Sequence, residues 1–496
     1  MKRTFLGLMS VISLPVMAGG YLTNTNQSIS FLRNPSQDAA INIGALYNNP
    51  AGTAFLKPGF HFAIGVQNVH QNRDVTSIFD GYQHGNKNEG YDATNGKLFR
   101  GEADAPILPS LQAVYNWAEK WSVSFDFGLV GGGGKCTYND GLPSFESKVA
   151  MIPAIANKAI EGNEIITGYA FDTYMRGRSY QYGFQGGLSY KLAKNLSVYA
   201  GARLIYATNN YFGYVKNIKL GYAGSYYSAQ DLVSQVGAQT STQIASAVQA
   251  GVMTQEEAAV KLATLQATGS ALVSGTQDIE LNCNQTGFAI TPIVGVDWKV
   301  NEHLNLAAKF EVKTRLRLNN ESVNVNTENV AALAAYEHGK KVPEDVPSIL
   351  TAGAMYSPVK FIRINGGFHY YWDKQATKVN NANKKLSGGT WELTAGAEYD
   401  FCDRWTVSAG WQTTNYPNTD EYMKDISFTT NSNTFGFGAK CQITDCVAVE
   451  AAYFQTLYKT YERNSDNYAS FGEVAPGTDK FNRTNRVFGV GVTLDF

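Results

Sequence analysis

Arg486-Val-Phe-Gly-Val-Gly-Val-Thr-Leu-Asp-Phe496 ends the chain with a strict two-residue alternation. Phe488, Val490, Val492, Leu494 and Phe496 share one face, and Gly489, Gly491, Thr493 and Asp495 share the other. A run of about ten residues with one apolar face and a terminal aromatic suits a tilted strand crossing a bilayer. The same pattern recurs upstream in pairs around short polar turns. Leu111, Ala113, Tyr115 and Trp117 precede Ala118-Glu119-Lys120, and Trp121, Val123, Phe125, Phe127 and Leu129 resume it. Five more pairs turn at 192–195, 300–303, 358–360, 402–403 and 444–445. Six hairpins, a first strand (Phe60, Phe62, Ile64, Val66) and the terminal one predict an all-β fold, a fourteen-stranded antiparallel transmembrane β-barrel. An even count places both ends of the chain on one side, the periplasmic one. The other connections are long: 74–105, 136–175, 220–277, 321–346, 379–386, 417–429 and 464–480. Trp117, Trp121, Trp298, Trp391, Trp405, Tyr190 and Tyr399 are expected beside the short turns as an interfacial girdle. Pro292, inside a strand, removes one ladder donor and predicts a bulge.

Composition agrees. Length alone, 496 residues, would suggest several soluble domains. Charged residues are only 17%, against about 25% in ordinary domains, and mean hydropathy is still -0.24. Gly (48), Tyr (29) and Phe (26) take their place, which favours β-structure over disorder. A net charge of -1 leaves no basic footprint for nucleic acid. Lys2-Arg3, the apolar run Phe5–Met17 and Val16-Met17-Ala18 read as a signal peptide over residues 1–18, cleaved after Ala18. No later run is long enough for a spanning helix, so export to the Gram-negative outer membrane is expected. Of the five cysteines, Cys441 and Cys446 flank a turn that would allow a bridge across it. Neither cysteines nor histidines show metal spacing, and no metal or cofactor is expected.

Faces that should point inward are polar: Arg203, Asp297, Arg363, His369, Glu392, Glu398, Lys440 and Glu450. The seventh strand carries Asn305, Lys309, Glu311, Lys313, Arg315 and Arg317 in one alternating set. The plainer reading of most of them is a salt-bridge lattice in the wall. Three segments break the rhythm. Residues 228–275 read as a helical hairpin in a long loop: Ile244, Val248 and Val252 recur at four-residue spacing, and Thr254-x-x-Glu257 opens the second helix as a capping box. Glu328–His338 predicts a shorter helix, and Val149, Ile152, Ile155 and Ile160 form a third apolar loop segment. Gly131-Gly-Gly-Gly-Lys135-Cys136 fails as a phosphate loop, because Leu129 and Cys136 stand where Gly and Ser or Thr are needed. Four glycines in the third strand predict instead a wall that bends or breaks its ladder. No catalytic motif is present, and no catalytic residue is assigned.

After the signal peptide, Gly19-Gly20-Tyr21-Leu22 begins about forty weakly periodic residues ending in Tyr47-Asn-Asn-Pro-Ala-Gly52. This resembles the N-terminal hatch of the outer-membrane long-chain fatty-acid and hydrocarbon transporter family (FadL/TodX type), with Asn49, Pro50 and Ala51 matching its Asn-Pro-Ala motif. Glu311-Val312-Lys313 is similar to a family pattern on the same strand. The resemblance implies a hatch over residues 19–58, a barrel over 59–496, and passive uptake of hydrophobic small molecules by a monomer among outer-membrane lipids and lipopolysaccharide. It implies loop capture, a pocket bordered by Tyr21 and Leu22, and a lateral exit at Gly131, Gly132, Gly133 and Gly134. Asn49–Ala51 would hold that kink inward. For a fatty acid, Lys313 and Arg315, with Arg203 behind them, are the expected partners of the carboxylate. Two other classes remain open: a binding shuttle of a protein secretion system, which the 228–275 insert would serve, and an outer-membrane hydrolase.

Overall fold

In the computed structural model, which describes residues 23–85, 90–117, 119–159, 164–327, 331–469 and 475–496, fourteen strands form one antiparallel sheet closed on itself. They are β1 (Gly59–Phe79), β2 (Lys97–Trp117), β3 (Trp121–Tyr138), β4 (Ile166–Ala193), β5 (Leu196–Tyr222) and β6 (Ile279–Lys299). Two interrupted strands follow: β7 (Leu304–Glu311 and Arg317–Ser322) and β8 (Lys341–Pro343 and Ile349–Val359). Then come β9 (Ile362–Tyr371), β10 (Thr390–Cys402), β11 (Trp405–Asn415), β12 (Ser432–Thr444), β13 (Val447–Tyr458, continued by Tyr461–Ser465) and β14 (Gly477–Asp495). A short strand, Ser225–Ser228, folds back on the tip of β5. β14 pairs with β1 to close the barrel, and Phe60 and Phe496 exchange backbone hydrogen bonds of 3.0 and 2.8 Å. Gly59 fits there because its φ is +126° and any Cβ would lie 1.9 Å from the Phe496 carbonyl oxygen. Both ends of the sheet-forming chain lie at the short-turn end.

Every strand exposes its apolar set outward: Phe288 is 66% exposed and Val490 60%. In water such a surface would be unfavourable at roughly 25 cal/mol per Å²; in hydrocarbon it is solvated. Among the described residues no helix is long and apolar enough to cross a membrane. Aromatic rings line the short-turn rim, with Trp117–Trp121 centroids 6.2 Å apart and Trp121–Tyr190 4.5 Å. Trp391 does not join them. It pairs in register with Asn415 and Tyr370 at the far end of β10, because the strand enters from the long-loop side at Thr390.

The long loops differ from expectation in both directions: β1 to β6 run well past the apolar belt, so that the first loop shortens to 80–96, while the β9–β10 loop, expected at 379–386, lengthens to 372–389. Their tips and two helices, α2 (Pro143–Ala150) and α3 (Ile152–Ala159), bury Phe79, Tyr82, Phe99, Tyr138, Phe145 and Tyr169 in the largest apolar cluster. The 228–275 hairpin is α4 (Ala229–Gln249) and α5 (Gln255–Gly275), with the Thr254–Glu257 capping box formed. Val252, counted with the first helix in the sequence, falls in the turn and is exposed. Of the helix expected over 328–338, a 3-10 turn forms at Ala331–Tyr336, and 328–330 lie outside the described residues. All five cysteines are free thiols; Cys441 is opposite Val449 in the β12–β13 ladder, so the bridge to Cys446 is not made.

Pro292 sits at a bulge, as its missing N–H requires. Ile293 pairs with Glu311 and Thr286 with Asn319, so residues 287–292 (six) oppose 312–318 (seven). The extra residue inverts the faces of β7. Below it Asn305, Ala307, Lys309 and Glu311 are buried; above it Thr314, Leu316, Leu318 and Asn320 are. Lys313, Arg315 and Arg317 therefore face outward, against the expectation that they share the lumen face with Glu311.

A cavity beside the N-terminal segment and a gap in the wall

The N-terminal segment from Thr23 onward fills the lumen, reaching inward-facing side chains on strands all round the barrel. Its one α-helical turn, α1 (Ile29–Arg33), is capped by Ser28, whose hydroxyl accepts from the Phe31 N–H. Arg33 bonds Glu398 on β10 at 2.7 Å and Glu450 on β13 at 2.9 Å. Asp38 meets His369 on β9 at 2.8 Å, and the other ring nitrogen of His369 meets Glu392 at 2.8 Å. Asn49 Nδ2 donates to Asp297 on β6 at 2.5 Å, while its Oδ1 caps the Pro50–Phe55 turn. The Pro50 and Ala51 carbonyls accept from Ser189 on β4 (2.9 Å) and Ser197 on β5 (2.7 Å). Asp297, His369, Glu392, Glu398 and Glu450 among these partners are polar lumen residues read from alternation, and each is hydrogen-bonded in a site where an unpaired group would be costly.

The glycine run interrupts both of its ladders. β2 and β3 are unpaired between Glu102 and Leu111 on one side and Phe127 and Thr137 on the other. Toward β4 the register shifts twice, at Leu129/Gly131 and at Gly131/Gly134. Gly132 has φ +94° and its absent Cβ would lie 2.4 Å from the Ser179 carbonyl oxygen, so no other residue fits without moving β4. On β2 the gap contains Pro106 and Pro109, which carry no N–H to leave unsatisfied. The sequence held this second signal, two prolines opposite four glycines, and the reading from β3 alone missed it. Asn49–Ala51 does not hold the kink: it bonds β4 at Ser189, eight residues, or roughly 26 Å along the strand, from the Gln181 that pairs with Gly131. Arg73 on β1 does, with its Nη2 donating to the Gly133 carbonyl at 2.5 Å.

A cavity of about 160 Å³ joins the N-terminal segment to this gap. Asn24, Thr25, Asn26 and Gln27 form one wall, Phe31, Leu32, Val69 and Val487 an apolar flank, and Leu108 with Gly131–Gly134 the side toward the opening. Three cations line it, Arg73, Lys135 and Arg483, and the two arginines lie directly opposite each other in the β1–β14 register. The Arg483 guanidinium lies 4.7 Å over the Tyr458 ring, and its Nε is buried with no hydrogen-bond partner among the described residues. Neither arginine was singled out in the sequence, since a basic residue on one lumen face looks like any other lattice member.

Of the expected ligand-binding residues, Tyr21 and Leu22 lie outside the described residues. Arg203 is buried in an ion cluster: Nη1 to Glu311 at 2.6 Å, Nη2 to Gln185 at 2.7 Å, and the guanidinium 4.4 Å from the Tyr47 ring. Lys309 closes the cluster on Glu311 at 2.6 Å. Lys313 and Arg315 are on the outer wall and do not line the cavity. Among the described residues no group of three or more His, Cys, Asp or Glu is placed to hold a metal.

The fold and this lumen define a fourteen-stranded transmembrane barrel filled by its own N-terminal segment. Solved structures with the same fold include a Pseudomonas aeruginosa FadL homologue (TM-score 0.61, 13% identity, 96% of this chain and 100% of that one). The Pseudomonas putida toluene transporter TodX (0.52, 13%, 97% and 99%) and the Ralstonia pickettii toluene transporter TbuX (0.50, 12%, 95% and 99%) also share it. No family model matches the chain, and no curated protein matches it in sequence.

Proposed function

We propose that the protein is an outer-membrane channel for passive, monomeric uptake of hydrophobic small molecules, long-chain fatty acids or similar lipids and hydrocarbons. The observation that carries this reading is the continuity of one cavity from the N-terminal segment to a break in the β2–β3 wall. Ligand would be caught among the long loops outside the cell, settle beside the N-terminal segment, and leave sideways through the gap at Gly131–Gly134. A cavity of about 160 Å³ is smaller than the roughly 300–1,000 Å³ of ordinary ligand sites, so Asn24–Gln27 must move for a whole acyl chain to enter. The likeness to a FadL homologue and to toluene transporters supports the hydrophobic class. Arg73 and Arg483 favour an amphiphile with an anionic head, because a buried carboxylate needs a cation. The test is mass spectrometry of lipids released from the purified protein, with displacement of a fluorescent fatty acid by palmitate and by hexadecane. Bound acyl lipid displaced by palmitate supports the reading; protein without lipid that binds neither ligand overturns it. The exposed α4–α5 hairpin favours a second reading, a binding shuttle for exported proteins. Fatty-acid uptake unaffected by deleting 229–275 separates the two.

A further inference from the structure

The bulge that turns Lys313, Arg315 and Arg317 outward leaves a basic patch which neither lumen nor cavity uses. Its orientation is set on both sides. The Thr314 hydroxyl bonds Thr291 at 2.9 Å inside the wall, and Leu316 and Leu318 are buried in the inner apolar cluster. Across the strand pair, Asp345 on the β8 side takes Lys313 at 3.5 Å on Oδ2 and Arg317 on Oδ1. The Leu316 N–H donates to the same carboxylate at 3.3 Å. Two of the three cations thus share one carboxylate, and Arg315 between them is exposed. Farther up the wall, Glu321 and Lys341 are both exposed and offset each other.

Beneath the patch Val312 is 41% exposed and Val294 on β6 is exposed too, while Phe288 and Ile290, also exposed, flank the patch on β6. From Leu304, beside the short turn, to Arg315 is eleven residues, one of them spent in the bulge. At about 3.3 Å per residue and about 40° of tilt, this puts Arg315 roughly 25 Å above the turn, the height of a barrel's apolar band. With the long loops outside the cell, that is the headgroup level of the outer leaflet. Three cations in alternate positions against the single carboxylate of Asp345 leave an excess of positive charge that a further anion would offset. A guanidinium fork matches a phosphate in two hydrogen bonds. We propose that Lys313, Arg315 and Arg317 bind a phosphate group of a phosphorylated glycolipid of the outer leaflet, holding the barrel's β7–β8 side to a specific annular lipid.

The proposal does not depend on what the lumen carries. It is tested with purified full-length protein in mixed micelles containing bisphosphorylated or dephosphorylated lipid A. Arg315→Gln is the first variant, since Arg317 and Lys313 hold Asp345 and Arg315 does not; Arg315→Gln/Lys313→Gln is the second. A cation at a charged lipid surface contributes roughly fivefold in binding, so each neutralisation should weaken binding of bisphosphorylated lipid A by about that factor. Dephosphorylated lipid A should bind wild type only as well as the bisphosphorylated form binds the double variant. Retained heat-modifiable gel mobility certifies the folded barrel. Equal affinity of wild type for the two lipids, an unchanged affinity in the folded variants, or displacement by inorganic phosphate alone would each overturn the assignment.

Discussion

Two arginines that face the same lumen do opposite work. Arg203 is locked onto Glu311 with Lys309 behind, and its ring contact steadies Tyr47. Removing one partner of such a buried cluster strands a charge, so Arg203→Ala should cost about 3–5 kcal/mol of stability, read as a lowered melting temperature. Arg483 has a buried, unpartnered Nε at the cavity wall. Arg483→Gln should leave the melting temperature near wild type and weaken fatty-acid binding about tenfold, the worth of one charge-assisted hydrogen bond. Binding of a neutral hydrocarbon should not change; an equal loss for both ligands would assign Arg483 to packing alone. Lys313→Ala should leave both unchanged. A third residue responds to pH. Burial in α2, outside the membrane, lowers the Lys148 amine to about 8, with Asp425 opposing the shift. The unfolded loop then binds the extra proton between pH 8 and the ordinary lysine range, so loop stability rises with pH across that window. Proteolysis of the α2–α3 loop should slow from pH 7.5 to pH 9 in wild type and lose that dependence in Lys148→Met. At this scale the sequence was legible for Arg203 as a lattice member and illegible for Lys313 and Arg315. Alternation reports a face only while the strand is unbroken, and one extra residue opposite Pro292 inverted every position beyond it.

The third strand with its neighbour β2 is the element on which the proposed exit depends. A closed barrel tolerates unpaired backbone only where water or protein reaches it, since each unsatisfied group facing lipid costs several kcal/mol. Here Pro106 and Pro109 remove two donors from one edge, Arg73 takes the Gly133 carbonyl on the other, and Gly131–Gly134 border the cavity. Gly132→Val places a β-branched side chain at φ +94° and drives its Cβ into the Ser179 carbonyl, so the strand must straighten or push into the opening. Uptake of a radiolabelled fatty acid by cells should fall toward that of cells lacking the protein, while heat-modifiable mobility shows a folded barrel. Wild-type uptake in a folded variant would place the exit elsewhere. Hairpins were legible in the sequence because two apolar alternations bracket each short polar turn. The upper halves of β1 to β6 were not, because above the membrane both faces meet polar surroundings or loop helices and the alternation of hydropathy disappears. Glycines disclosed the break, but the cation that clasps it comes from β1, about sixty residues earlier in the chain, where no local pattern points to it.

A barrel of this size needs something inside it. Eight strands leave room only for their own side chains, and sixteen to eighteen leave an aqueous channel, so fourteen strands around an empty lumen would leak. The N-terminal segment fills that space, and it is held by side chains: Arg33 to Glu398 and Glu450, Asp38 to His369, Asn49 to Asp297. The barrel wall is held by its ladder, which none of these groups joins. The two layers can therefore be separated. Arg33→Ala leaves Glu398 with Arg363 at 3.0 Å, but leaves Glu450 hydrogen-bonded to hydroxyls, Ser30 and Thr493, with the Lys440 charge opposite it in the ladder. The lost pair is worth about 3–5 kcal/mol, and the weakest structure that can absorb it is the seating of residues 23–40, whose one helical turn is five residues long. Arg33→Ala/Asp38→Asn releases a second anchor on the β9–β10 side. In planar bilayers the wild type should pass little ion current, Arg33→Ala should show brief openings, and the double variant long-lived ones. All three proteins should insert with equal yield and keep folded gel mobility. Silent bilayers from a correctly inserted double variant would mean that apolar packing of Phe31 and Leu32 against Phe454 and Val487 suffices to hold the segment. Adding Leu32→Asp would then be the change that opens the lumen.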